Sequence, residues 1–186
     1  MNTPDLSARL QRLSVVITDV DGVLTDGGMY YGEGGDEFKK FNIRDGAGVA
    51  LLKAAGLVVG ALTGESRRLN ARRLEKIGVD FYFEGVRDKR QCLHEYLTQS
   101  GIEARQVAFI GDEINDYCLL GEVGVFFAVA DACSEIRERA DQVLRSRGGE
   151  GALREAATII LEAQGKAGEA LQTYLQANAS DRHPRH

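Results

Sequence analysis

Short apolar runs rich in β-forming residues alternate along this chain with segments of helical pattern, and this alternation restricts the possible folds most. The runs are nearly continuous rather than alternating with polar residues, as in strands that are buried on both faces. They cover residues 15–18, 57–62, 79–83, 107–110 and 125–129. Their alternation with helices predicts βαβ units and an α/β fold with a Rossmann-like, doubly wound parallel sheet.

Glycines mark the ends of the helical patterns, because glycine easily adopts the left-handed conformation that closes a helix. The patterns cover 46–55, 66–77, 89–100 and 113–120, and Gly56, Gly78, Gly101 and Gly121 follow them. Residues 152–163 predict a further amphipathic helix. The stretch 27–41 differs: aromatic residues flank a glycine-rich turn, which predicts a β-hairpin inserted after the first strand.

The length of 186 residues suits one domain with a proper core, predicted to span 1–176, and a polar, flexible tail at 177–186. Hydrophobic residues make up 44% and charged residues 27%, as in ordinary globular proteins. The net charge of −5 argues against nucleic acid as a partner. No apolar run is long enough to span a membrane. The three cysteines lack the spacing of a disulfide framework or zinc site, so we expect a cytoplasmic protein.

Two carboxylates, Asp19 and Asp21, directly follow the first apolar run and precede Gly22. Ligands of α/β proteins bind at the carboxyl ends of strands, where these acids are predicted to lie. Asp and Gly are also common turn residues, so a structural turn is an alternative for this motif alone. A calcium loop is excluded because Tyr30 occupies the twelfth loop position, which requires a glutamate.

Further polar residues follow the later strands in sequence: Thr63, Lys89, Asp112 and Asp116. Each has a structural explanation of its own, since Thr63 and Asp112 could cap helices and Lys89 could be a solvated surface lysine. Their common position at strand carboxyl ends favours one shared site.

The order of these residues resembles the four motifs of the haloacid dehalogenase phosphatases: Asp-x-Asp, Thr or Ser, Lys, and Gly-Asp-x-x-x-Asp. The resemblance spans about 15–164. Within that superfamily, the segments 19–27, 41–46, 128–132 and 147–154 and the hairpin resemble the capless subfamily that dephosphorylates 2-keto-3-deoxy sugar acids. The resemblance therefore implies a phosphatase without a cap domain.

This family resemblance also implies the chemistry. Asp19 attacks phosphorus and becomes a covalent aspartyl-phosphate, and Asp21 serves as general acid and then general base. Mg²⁺ is held by Asp19, the backbone carbonyl of Asp21, and Asp112. The phosphoryl oxygens are bound by Thr63 and Lys89. Two residues are expected to support the site: Asn115 and Asp116.

The substrate is predicted from Gly64, Glu65, Arg73 and Lys76. Octulosonate phosphatases of the subfamily read Thr-Gly-Arg where this chain has Glu65. Glu65 with Lys76 resembles the branch acting on deoxy-nonulosonate 9-phosphate, which is the favoured substrate; 3-deoxy-octulosonate 8-phosphate is the alternative. Both charges would also suit the two ends of a helix without binding any substrate.

A receiver domain that accepts a phosphoryl group is another class of function with strand-end aspartates. The motif order favours the hydrolase, since a receiver has its acceptor after the third strand. The subfamily resemblance and the aromatic residues of the hairpin predict a homotetramer. Residues 147–151 are predicted to form a flexible lid near a neighbouring active site.

Overall fold

The computed structural model describes residues 6–35 and 37–180. The strands in these ranges are β1 Val15–Thr18, β2 Tyr30–Tyr31, β3 Glu37–Phe38, β4 Val58–Leu62, β5 Phe81–Phe83, β6 Val107–Gly111, β7 Val125–Ala128 and β8 Gln142–Val143. The helices are α1 Leu6–Leu10, α2 Ile43–Ala54, α3 Arg68–Ile77, α4 Lys89–Ser100, α5 Ser134–Arg137, α6 Ala152–Ala163 and α7 Ala167–Ser180. Two 3-10 helices cover Ala104–Gln106 and Ile114–Leu119.

A six-stranded parallel sheet has the order β5-β4-β1-β6-β7-β8. Every residue of β1, β6 and β7 is buried, which is why their sequences are continuous apolar runs. The predicted doubly wound α/β fold is confirmed. Strand β8 was not predicted, because it is only two residues long and contains Gln142.

Helices flank this sheet in groups that bury its apolar side chains. The helix α2 packs against α3, α6 and α7, whereas α4 and α5 pack against the 3-10 helix Ile114–Leu119. The core is built mostly from aliphatic residues with Phe109, Phe126 and Phe127 at the centre of the sheet. Strand β1, which directly precedes Asp19, is fully buried and pairs with β4 on one side and β6 on the other.

Several element boundaries differ from the sequence prediction. Helix α2 begins three residues before residue 46, because the side chain of Asn42 accepts a hydrogen bond from the Arg44 amide and caps it. Helix α3 begins at Arg68 rather than residue 66. The predicted helix at 113–120 is a 3-10 helix over Ile114–Leu119.

Helix α7 was not predicted, and it extends to Ser180. It therefore includes the first four residues of the segment 177–186 that the sequence assigns to a flexible tail. Residues 181–186 lie outside the described ranges. None of the described helices combines the length and apolar character needed to cross a membrane.

The inserted hairpin is present as an antiparallel pair, with Tyr30 opposite Phe38 and Tyr31 opposite Glu37. An isolated bridge between Thr25 and Phe41 closes its base. The aromatic side chains point into solvent, since Tyr30, Tyr31 and Phe38 are 53%, 70% and 61% exposed. The hairpin thus presents apolar aromatic side chains to solvent.

Candidate active site

The carboxyl ends of three adjacent strands define the candidate site. Asp19 follows β1, Thr63 follows β4 and Asp112 follows β6, and β1 pairs with both of the other strands. The chain reverses its winding direction at β1, so this is the crevice where open α/β sheets bind ligands. Lys89 joins them from the first position of α4, which Asp88 caps by accepting a hydrogen bond from the Gln91 amide.

A buried ionic network occupies the centre of the site. The Lys89 ammonium lies 2.8 Å from Asp19 Oδ2 and 2.6 Å from Asp116 Oδ1, and all three side chains are at most 3% exposed. Burial by itself lowers the pKa of Lys89, but the two carboxylates outweigh it and raise this pKa above its usual value. Lys89 is therefore a buried cation, which excludes the solvated surface lysine considered above.

Asp19 is also oriented by the backbone. Its Oδ1 accepts a hydrogen bond from the Val20 amide at 2.6 Å, while its own amide donates to the carbonyl of Ile110. Both carboxylate oxygens thus have a partner, and the side chain keeps one orientation at the bottom of the crevice. Burial, and then the charge of Asp116, raise the pKa of Asp19 to about 7.

Asp112 completes a cluster of three carboxyl groups. One oxygen from each of Asp19, Asp112 and Asp116 lies within 4.8 Å of the others. Burial and the two neighbouring carboxylates raise the pKa of Asp112 to about 8, and its buried Oδ1 has no protein partner. An unpartnered oxygen in a cluster of carboxylates fits a hard divalent cation such as Mg²⁺, which prefers oxygen ligands.

Gly22 allows the loop after β1 to approach Asp112 in the loop after β6. Its φ of +93° is in the left-handed region, and a Cβ at this position would overlap the carboxylate of Asp112. Glycine is therefore required twice here, by the backbone conformation and by the close approach. The Asp-x-Asp-Gly motif positions Asp112 as well as its own carboxylates.

Asp21 lies at the rim of the site, with its side chain 27% exposed. Lys39 Nζ lies 2.7 Å from its Oδ1, and the Asn70 side-chain amide donates to its Oδ2 at 3.2 Å. Lys39 lies equally close, at 2.7 Å, to Glu65 Oε2. Neither Lys39 nor Asn70 was predicted from the sequence.

The end of β4 brings Thr63 into the site. Thr63 is buried, its amide donates to the Phe83 carbonyl, and its Oγ1 accepts a hydrogen bond from the amide of Glu65. Gly64 is exposed beside it. Glu65 is paired with Lys39 and lies 3.9 Å from Arg67 Nε, so its charge is already balanced within the chain.

Asp116 and Asn115 differ in position, although they are adjacent. Asp116 is fully buried, and its Oδ2 accepts a hydrogen bond from the Asp112 amide, so it links Lys89 to the loop after β6. Asn115 is exposed, and its described contact is a backbone carbonyl that accepts from Cys118. Of these two residues, only Asp116 is brought into the described network.

Arg73 and Lys76 lie on α3, outside the group of residues described so far. Arg73 donates to the Asn42 carbonyl and lies over the Phe41 ring. Lys76 is in the last turn of α3, six residues after Asn70, which corresponds to about 9 Å along the helix. Both line a shallow cavity of about 310 Å³ together with Ile43, Ile77 and Tyr174. Within one chain the predicted substrate contacts are therefore divided between two places.

The segment 147–151 is anchored in its own chain, which corrects the prediction of a flexible lid. Gly148 and Gly149 are buried, and the Gly149 amide donates to the Val23 carbonyl. A Cβ at Gly148 would overlap the Gly22 carbonyl oxygen. The paired glycines thus let this segment pack against the loop that carries Asp19 and Asp21.

The comparisons with known proteins agree with this geometry. The family described as haloacid dehalogenase-like hydrolase matches residues 65–155. A curated 3-deoxy-D-manno-octulosonate 8-phosphate phosphatase from Haemophilus influenzae is 39% identical over 161 residues, which are 87% of this chain and 89% of that protein. The structure of a putative haloacid dehalogenase superfamily (subfamily III A) hydrolase from Legionella pneumophila superimposes with a TM-score of 0.89 at 36% identity, covering 92% of this chain and 94% of that one.

A third similar protein is the 3-deoxy-D-manno-octulosonate 8-phosphate phosphatase from Moraxella catarrhalis, whose structure is a complex with magnesium ion, phosphate ion and KDO. It superimposes with a TM-score of 0.87 at 31% identity, covering 93% of this chain and 99% of that one. The names of these relatives refer to the eight-carbon substrate, whereas the sequence favoured the nine-carbon one. The chain belongs to the haloacid dehalogenase-like hydrolases and is a phosphoric monoester hydrolase related to the octulosonate 8-phosphate phosphatases.

Proposed function

We propose that this enzyme hydrolyses 3-deoxy-D-manno-octulosonate 8-phosphate, with Mg²⁺ as cofactor, to the free sugar acid and phosphate. The observation that carries the proposal is the buried Asp19, held by Lys89 and the Val20 amide beside the unpartnered carboxylate oxygen of Asp112. Close similarity to octulosonate 8-phosphate phosphatases over nearly the whole chain supports this choice of substrate.

Asp19 is the proposed nucleophile. Its carboxylate oxygen forms a bond to phosphorus while the bond from phosphorus to the sugar oxygen breaks, and Asp21 donates a proton to that departing oxygen. In the second step Asp21 removes a proton from water, which attacks the aspartyl-phosphate and releases phosphate. Covalent catalysis divides one difficult displacement into two easier ones.

The metal ligands are proposed to be Asp19, Asp112 and the backbone carbonyl of Asp21. Asp116 belongs to the same acidic cluster, but its two oxygens already accept from Lys89 and the Asp112 amide. We therefore assign Asp116 to the positioning of Lys89 and of the loop after β6. When bound, the cation neutralises the charge that otherwise repels an anionic ester from the carboxylates.

Thr63 and Lys89 are proposed to bind the phosphoryl oxygens. Lys89 already faces Asp19, so its charge lies where negative charge develops as the phosphoryl group moves. Thr63 presents its hydroxyl from the adjacent strand end, and it is buried and therefore fixed. Both groups are in place before the substrate binds, which reduces the entropic cost of reaching the transition state.

The ion pair that Glu65 makes weakens the case for the nine-carbon substrate. The case for deoxy-nonulosonate 9-phosphate needed Glu65 and Lys76 to act together on the distal part of the sugar. Glu65 is instead paired with Lys39. Lys76 lies in the last turn of α3, about 9 Å along the helix from Asn70, which contacts Asp21. Because Glu65 is already paired with Lys39, its charge gives little reason to favour the longer substrate.

A homotetramer remains our proposal for the assembly. The hairpin exposes Tyr30 and Phe38 on one face and Tyr31 on the other. Exposed apolar patches of this kind often mark contacts with another protein. Packing of hairpins between subunits would cover both the aromatic side chains and part of the crevice.

The test of the proposed substrate compares kcat/KM for phosphate release from the two sugar acid phosphates under the same conditions. We expect 3-deoxy-D-manno-octulosonate 8-phosphate to be preferred by tenfold or more, activity to be lost in EDTA, and Mg²⁺ to restore it. A tenfold preference for deoxy-nonulosonate 9-phosphate would overturn the substrate while leaving the phosphatase intact. Full activity in EDTA would overturn the role of the metal.

A further inference from the structure

We propose that Lys39, which the hairpin delivers to the rim of the crevice, is a positioning residue for Asp21. This inference rests on the proposed function, because it concerns the proton transfers that Asp21 makes in that reaction. Lys39 directly follows β3 and lies 18 residues after Asp21 in the sequence. Through Lys39, the hairpin would take part in the chemical steps.

The geometry around Lys39 is that of a fixed ionic link. Its side chain is 0% exposed, and its ammonium lies 2.7 Å from one oxygen of Asp21 and 2.7 Å from one oxygen of Glu65. Short contacts of an ammonium to two carboxylates are among the stronger hydrogen bonds in proteins. The ammonium therefore bridges the loop after β1 and the loop after β4.

Asp21 is held from two directions. Lys39 contacts its Oδ1, and the fully buried Asn70 donates to its Oδ2 from α3. With a donor on each oxygen, the carboxyl plane cannot rotate freely. Asp21 is still 27% exposed, so without these donors it could turn towards water.

The orientation of Asp21 matters differently for different esters. A sugar oxygen is a poor leaving group and needs a proton from Asp21 as its bond to phosphorus breaks. p-Nitrophenolate is a good leaving group and departs without that proton. Hydrolysis of the aspartyl-phosphate, in contrast, needs Asp21 to take a proton from water for either ester. A misplaced Asp21 therefore slows both steps for a sugar phosphate but only the second step for p-nitrophenyl phosphate.

Lys40 provides a matched control. It is the next residue on the same strand end, but its side chain is 54% exposed and its described ionic contact is with Asp26 at 3.7 Å. Replacing Lys40 removes the same charge from the hairpin without touching Asp21 or Glu65. A general effect of net charge or of hairpin stability would appear in both lysine variants.

The experiment compares wild type, K39M, K39R and K40M by rapid mixing, following the burst of p-nitrophenol and the steady-state release of phosphate. For K39M we expect kcat on the sugar acid phosphate to fall roughly ten- to hundredfold, as for small displacements of catalytic groups, with KM changed less than threefold. The rate of the p-nitrophenol burst should stay within about threefold of wild type while steady-state turnover falls. K39R should recover most of the kcat, and K40M should match wild type.

Equal losses of the burst rate and of kcat on the sugar acid phosphate in K39M would contradict the proposal, as would a change confined to KM. If K39M does not fold, K39Q is compared in the same way, and equal losses for both esters would count against the proposal in the same manner. A wild-type enzyme that lacks the burst and does not hydrolyse the sugar acid phosphate would instead contradict the proposed function.

Discussion

Asp45 is a buried carboxylate outside the crevice that stabilises a neighbouring helix. It lies in the first turn of α2, is 1% exposed, and its Oδ1 accepts a hydrogen bond from the Arg154 amide in the first turn of α6. The N-cap of α6 is Gly151, which has no side chain to do this. Burial, only partly offset by the Arg154 amide, raises the pKa of Asp45 to about 6.

This pKa predicts how D45N changes the pH dependence of stability. The raised pKa means that the folded state binds the proton more tightly, so the protonated carboxyl favours folding at low pH, and this contribution is lost as the pH rises through about 6. D45N lacks it. The free energy of unfolding of D45N minus that of wild type should therefore increase by roughly 1 to 1.5 kcal/mol from pH 5 to pH 8. Urea unfolding at both pH values measures this, and a constant difference would contradict the raised pKa.

At the scale of residues, the sequence allowed prediction of groups that follow strands, but not of groups that reach them from elsewhere. Asp19 and Asp112 end adjacent parallel strands, so strand order brings them together. Lys39 and Asn70 contact Asp21 across 18 and 49 residues. Their partners depend on the path of the hairpin and the exact rotation of α3, and the sequence pattern does not define either.

At the scale of elements, the segment 147–151 supports the loop after β1. Gly148 packs directly against the Gly22 carbonyl, and the Gly149 amide donates to Val23. On the other side, Asn42 donates from its side chain to the Gly149 carbonyl. The segment thus connects the loop after β1 to the cap of α2. A substitution within the segment should therefore displace the loop that carries Asp19 and Asp21.

G148A tests this packing. Its new methyl group would overlap the Gly22 backbone, so we expect a loss of about 1–3 kcal/mol of stability, as for other overpacked sites, together with a clear fall in kcat. The control is G168A, because Gly168 lies in α7 with open space around its Cα. G168A should be neutral or up to about 1 kcal/mol more stable. Thermal unfolding and phosphatase assays of both variants check this, and a G148A enzyme as stable and active as wild type would contradict it.

The long, buried elements were predictable because continuous apolar runs and terminal glycines report burial and helix ends directly. Short elements were not. Helix α5 has four residues and β8 has two, so neither has room for a periodic pattern. The early start of α2 depended on Asn42 acting as its cap, whereas the sequence pattern placed the start at Gly46.

At the scale of the whole molecule, the proposed tetramer predicts the effect of charges on the hairpin. A Y31D/F38D double variant would place two carboxylates where subunits are expected to pack, so it should give a smaller particle than wild type. L171D is the control, since Leu171 is an exposed apolar residue on α7. Light scattering should give four chain masses for wild type and L171D. A stable wild-type monomer, or a tetramer in the double variant, would contradict this interface.

The proposed covalent phosphoryl transfer to Asp19 depends on the strand order, the buried network and the hairpin, which all position groups around this carboxylate. The direct test is intact-protein mass spectrometry after rapid acid quenching of the enzyme during turnover. We predict that wild type gains the mass of one phosphoryl group, that hydroxylamine removes this mass, and that folded D19N, which carries an amide in place of the nucleophile, gains none. A phosphorylated D19N protein, or a D19N enzyme that retains more than a few per cent of wild-type turnover, would contradict the mechanism.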